Sequence, residues 1–164
     1  MADASTALQL TDDQFIPDHR ASLDASVGAI GPALSFEKFA RAYDTPTAAW
    51  QVDVVRRLLK LRELPRGWDG YGAPALSLDA AWFTIELLGK IMRPRTPAPQ
   101  VVPSSVGGIQ IEWHEKDIDL EIHIAAPYRC ELWYNDHQSG RVISEEFTGD
   151  FSILAGPVAE LSQR

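Results

Sequence analysis

The sequence predicts an α+β domain, with two main helices packed on one face of a four- to five-stranded antiparallel β-meander. Apolar residues recur at helical spacing in two separate stretches, Trp50, Val54, Leu58 and Leu61 in one and Leu78, Ala81, Trp82, Ile85, Leu88 and Met92 in the other. Downstream the period changes to two. Ile109, Ile111 and Trp113 alternate with Gln110, Glu112 and His114, and then Ile118, Leu120, Ile122 and Ile124 alternate with Asp117, Asp119, Glu121 and His123. Turn formers at Pro127-Tyr128-Arg129 and from Asn135 to Gly140 separate the later runs, so these strands fold back on one another.

In chain order, residues 1–34 read as a partly structured arm: Leu8, Leu10, Phe15 and Ile16 follow neither period, and Gly28, Gly31 and Pro32 break what comes next. The domain itself is expected over residues 35–164. Ser35 offers an N-cap to a short helix over about 36–43, whose Phe36, Phe39, Ala40 and Tyr43 share a face. Thr45 as cap and Pro46 as first helical residue predict the first long helix over 46–64, stopped by Pro65 and Gly67. Arg56, Arg57, Lys60, Arg62 and Arg66 gather towards its C-terminal end, where the helix dipole favours cations. After the compact loop Gly67-Trp68-Asp69-Gly70-Tyr71-Gly72-Ala73-Pro74, Ser77 caps the second long helix, expected over 78–92. Pro94, Pro97, Pro99 and Pro103 stiffen a connector over 94–103, with room for a short edge strand at Val101-Val102. The meander is expected over 107–148. The tail, 149–164, reads as a short helix or docked segment interrupted at Gly156 and Pro157.

Composition narrows the function classes. A formal charge of −8, from 23 acidic and 15 basic residues, lacks the basic footprint that nucleic-acid phosphates demand. Apolar runs are far shorter than the ~20 residues of a membrane span, and the N-terminus has no basic region leading into an apolar stretch. A cytoplasmic location is expected, with neither nucleic acid nor membrane as partner. Cys130 is the one cysteine, which excludes an internal disulfide and a cysteine-rich zinc site; it reads as a small packing residue.

The pattern that carries chemistry is the polar face of the meander. Pairing Ile111 with Leu120 sets Glu112 opposite Asp119, and shifting the register by two sets Glu112 opposite Glu121, so the outer face is acidic either way. His114 and His123 point to the same side. Trp133 falls on the side opposite Leu132 and Tyr134 and would stand among these carboxylates as an aromatic centre. As a metal site the pattern is poor, since alternate strand positions lie ~6–7 Å apart with parallel side chains, whereas ligands must converge. Trp68 and Tyr71 on the glycine-rich loop are either plugs for the adjoining core or anchors for a partner. Neither phosphate-loop spacing, nor a serine nucleophile elbow, nor HExxH occurs.

Leu64-Pro65-Arg66-Gly67-Trp68-Asp69-Gly70-Tyr71-Gly72-Ala73, with Gly107-Gly108-Ile109-Gln110-Ile111-Glu112-Trp113-His114 and Asp119-Leu120-Glu121-Ile122, resembles a family of small uncharacterised bacterial and phage proteins. Those proteins carry a GWDxYGA segment ahead of a helix and a proline-rich linker, then a GG-x-Q-x-EWH strand and a DLEI strand. The likeness covers about Leu64 to Ile124. It implies no catalytic residue and singles out Trp68, Asp69, Tyr71, Glu112, Trp113 and His114 for testing.

The expectation that follows is a non-enzymatic protein–protein interaction module, antitoxin-like or inhibitor-like, that needs no cofactor. Its partner-binding residues would be Trp68, Asp69, Tyr71, Glu112, His114, Asp119, Glu121, His123 and Trp133, set against a basic protein partner, and a homodimer is compatible with it. Two alternatives stay open: a metal-dependent hydrolase using Glu112, His114, Glu121 and His123, and a self-assembling structural protein.

Overall fold

The structure, a computed structural model, describes residues 35–44, 46 and 48–164. The predicted arm over 1–34 and the proposed cap Thr45 lie outside the described residues. The architecture is α+β, as the two periods predicted. Helices α1 (Phe36–Ala42), α2 (Ala49–Leu61) and α3 (Leu78–Ile91) precede strands β1 (Gln100–Pro103), β2 (Ile109–Glu115), β3 (Ile118–Ala126), β4 (Arg129–Asp136) and β5 (Arg141–Phe147), and a short 3₁₀ turn leads into α4 (Ala155–Gln163). The five strands form an antiparallel sheet in sequence order.

The alternation sorts the sheet into two faces. On the inner face Ile109, Ile111, Trp113, Ile118, Leu120, Ile122, Ile124, Leu132 and Tyr134 are buried against Leu58 of α2, Ala81, Leu87 and Leu88 of α3, and Leu154, Val158 and Leu161 at the C-terminal end. Removing this much apolar surface from water is the main force fixing the helices to one side. The Trp113 indole N–H, which would be costly to leave unpaired in the core, donates to the Pro97 carbonyl at 2.8 Å and so pins the proline connector over the sheet.

Register follows the second of the two alternatives: Ile111 faces Ile122, Trp113 faces Leu120, and Glu112 faces Glu121. The pairing of Ile111 with Leu120 and of Trp113 with Ile118 is not formed. A two-residue turn decides this, with Lys116 and Asp117 both at positive φ (58° and 59°), which sets Glu115 directly opposite Ile118.

Two further expectations are corrected. Helix α2 begins at Ala49 rather than Pro46, because Gln51 Oε1 accepts the Ala48 N–H at 3.1 Å and closes the N-terminus there. Gly156 and Pro157 do not interrupt the C-terminal helix: both fall in the first turn of α4, where a backbone N–H has no intrahelical acceptor to lose. Side chains then tie α4 to the sheet. Arg164 donates from both terminal nitrogens to Asp136 (2.8 and 2.6 Å), Tyr134 Oη donates to Glu160, and Arg141 pairs with Glu160 at 2.9 Å. The Arg164 guanidinium and the Ser139 hydroxyl hold Asp136 well below the usual carboxylate range.

At the other end of the sheet, glycine is required where the chain enters β2. A Cβ on Gly108 would sit 2.2 Å from the Ile124 carbonyl oxygen, and Gly107 adopts φ +85°. Pro74 fills the space above Gly107, and Ser77 N donates to the Gly107 carbonyl at 3.1 Å, so the loop leading into α3 docks at this end of the sheet.

Candidate functional site

The outer face of the sheet is organised as rows running across the strands. Glu112, Glu121, Trp133 and Ser144 form one row, Gln110, His123, Glu131 and Glu146 a second, and His114, Asp119, Asn135 and Val142 a third. Glu112–Glu121 and Glu131–Glu146 are thus directly opposed carboxylate pairs, an arrangement that destabilises a sheet. No lysine or arginine nitrogen among the described residues lies within 4 Å of these four glutamates. Relief comes from neutral or titratable neighbours. Gln110 Nε2 donates to Glu112 at 2.9 Å and Glu121 at 3.1 Å, while His114 Nε2 lies 3.8 Å from Glu112 and 4.0 Å from Glu121.

Beside the first pair, Asp119 is clamped between two imidazoles, with Oδ1 2.8 Å from His114 Nδ1 and Oδ2 2.6 Å from His137 Nε2. The Asp119 hydrogen bond raises the His114 pKa, helped by the charges of Asp119, Glu112 and Glu121 against the opposing effect of burial. Asp119 is correspondingly held low, first by His114 and then by His137. His137 belongs to the β4–β5 turn, four residues beyond Trp133 in sequence, and only the strand register brings it to Asp119.

A concave region of about 810 Å³ opens over the middle of this face, lined by Ser104, Gln110, Glu121, His123, Trp133 and Glu146 among others. Trp133 is 37% exposed at its wall, as the alternation predicted. His123 does not join His114: it turns to Ser104 of the β1–β2 connection, with Nε2 2.9 Å from Oγ. A serine beside a histidine invites a nucleophilic reading. Glu121, Glu131 and Glu146 line the same hollow, however, and negative charge there would destabilise the oxyanion that acyl transfer must develop.

The proposed hydrolase residues therefore come together in part: Glu112, His114 and Glu121 are neighbours, and His123 sits one row away. Among the described residues, no three His, Cys, Asp or Glu side chains converge on a point where a metal ion would be held. Cys130 packs on the inner face, and burial pushes its thiol pKa up to about 11, so it is protonated near neutral pH.

The glycine-rich loop divides its aromatics. Tyr71 is 96% exposed and Trp68 half-buried. Asp69 between them organises the loop, its Oδ1 accepting the N–H groups of Tyr71 (2.9 Å) and Ala73 (3.0 Å), and those bonds lower its pKa. Asp69 thus shapes the loop, whereas Tyr71 projects from it.

The chain matches no family model, no curated protein and no solved structure. Among the described residues no helix is long and apolar enough to cross a membrane.

Proposed function

We propose that the domain is a non-enzymatic protein–protein interaction module, antitoxin-like or inhibitor-like, which presents the outer sheet face to a basic partner surface. The observation that carries this reading is the two opposed carboxylate pairs, Glu112–Glu121 and Glu131–Glu146, flanking a half-exposed Trp133 with no lysine or arginine within 4 Å of them among the described residues. Such a face is destabilising to the isolated sheet and is relieved by a cationic partner. An aromatic side chain ringed by polar groups is also the arrangement that anchors interfaces. Tyr71 and Trp68 supply a second aromatic element on the loop docked near the β1–β2 connection.

The test compares capture from a lysate of the source organism by the wild type and by the combined E112K, D119K and E121K variant, with folding of both checked by circular dichroism. The wild type is expected to retain basic proteins that are released by salt and absent from the variant. An identical retained set refutes the acidic-face reading.

A further inference from the structure

The two edges of the sheet are treated differently. At β1, Pro103 lacks a backbone N–H, and Arg57 Nε from α2 donates to the Val101 carbonyl at 2.8 Å, so the free side of this strand is blunted. At β5 there is no proline and no bulge in its pairing with β4. Beyond that ladder, residues 142–147 make no hydrogen bond with any described residue. Val142 is 61% exposed. A seven-residue strand with an open backbone edge is a template for another strand.

We infer that the occupant of this edge is β5 of a second copy of the chain, paired antiparallel about a two-fold axis perpendicular to the sheet. Such an axis keeps inner side chains on one side, so residues of like parity must face each other. One register matches the charges. With Ile143 opposite its own copy, Arg141 of each chain faces Glu145 of the other, and Val142 faces Ser144. Arg141, Ile143 and Glu145 all belong to the inner set, because their β4 partners are Asp136, Tyr134 and Leu132. A shift by two residues one way puts Val142 against Glu146 and Ile143 against Glu145; a shift the other way leaves Arg141 against Ile143. Glu145 has no lysine or arginine within 4 Å among the described residues, so the register supplies it with a cation it otherwise lacks. The result is a continuous ten-stranded sheet with both acidic faces on the same side.

The overlap is short, so association is of the weak class. Sedimentation of the full chain from ~5 µM to ~1 mM should show the mass climbing towards twice 18.2 kDa. E145R sets arginine against arginine and should weaken association at least ~10-fold, and adding R141E in the same chain should recover most of it. Because Arg141 also pairs with Glu160, thermal melts are run on each variant to separate dimer loss from loss of fold. Hydrogen exchange on the wild type gives a readout free of substitutions: protection within 142–147 should rise with protein concentration. A wild type monomeric throughout overturns the inference, as does E145R associating like wild type, a folded double variant without recovery, or protection independent of concentration.

Discussion

Replacing Glu146 by lysine should make the protein more stable. Glu146 stands directly opposite Glu131 on the outer face, both exposed, so the lysine converts a repelling cross-strand pair into an attracting one. Opposed charges across a ladder contribute about 0.2–1 kcal/mol and like charges cost a comparable amount. Because both side chains reach solvent, the lower half of each range applies, and the swing comes to about 0.5–1 kcal/mol. For a chain of this size that corresponds to a rise in Tm of about 1–4 °C. Urea and thermal unfolding at ~20 mM and ~500 mM NaCl measure it, since a Debye length of about 4 Å at the higher salt should erase most of the gain. E146Q should show roughly half the effect, having lost the repulsion without gaining the attraction. A variant no more stable than wild type at low salt, or a gain unchanged at high salt, refutes the reasoning. Under the proposed function the same substitution weakens partner binding, so stability and binding should move in opposite directions.

Other expectations follow from particular contacts. G108A places a methyl group 2.2 Å from the Ile124 carbonyl and should cost at least ~2 kcal/mol by forcing β2 and β3 apart, read by urea unfolding; a neutral outcome would show that the strands can separate there without penalty. D69A removes the acceptor for the Tyr71 and Ala73 N–H groups, so limited proteolysis should cut faster within 68–72 while the sheet keeps its exchange protection. The His114–Asp119 pair gives a pH signature. His114 is raised, so its contribution is complete below its unfolded value of 6.5 and is lost as pH climbs through the folded value; Asp119 is lowered, so its contribution is complete above 3.8 and is lost as pH falls through the folded value. The stability difference between wild type and D119N should therefore be largest between pH 3.8 and 6.5 and shrink as the pH climbs above 6.5. A difference that does not shrink there would remove His114 as its source.

Legibility in the sequence tracked how local the physics was. The alternation from Ile109 to Ile124 exposed the faces of the sheet because burial on one side repeats every two residues; it placed Glu112, His114, Asp119 and Glu121 on the outer side correctly, and the position of Trp133 between Leu132 and Tyr134 did the same for it. Register was not fixed by it, since both candidate pairings keep the apolar face intact. The deciding turn, Lys116-Asp117, carries neither Gly nor Asn, the usual marks of two positive φ angles. Thr45-Pro46 looked like a helix start because the rule is local, while the cap that closes α2 comes from Gln51 within the helix. His137 meeting Asp119 and Arg164 meeting Asp136 join positions 18 and 28 residues apart, and no sequence period reports them.

Among the described residues, a basic cluster and an acidic cluster also fall on opposite sides of the core. Arg56, Arg57, Lys60, Arg62 and Arg66 lie exposed on α2 and the turn that follows it, on the helix side of the core, whereas Glu112, Asp119, Glu121, Glu131 and Glu146 stand on the far side of the sheet. Among the described residues this separation gives a dipole component normal to the sheet. An approaching cationic body would feel a torque before it feels a contact, turning the acidic rows towards it and the arginines away. Orientation, which ordinarily slows docking, would then be supplied by the long-range field, so the encounter rate should fall steeply with ionic strength even where the lifetime of the complex does not.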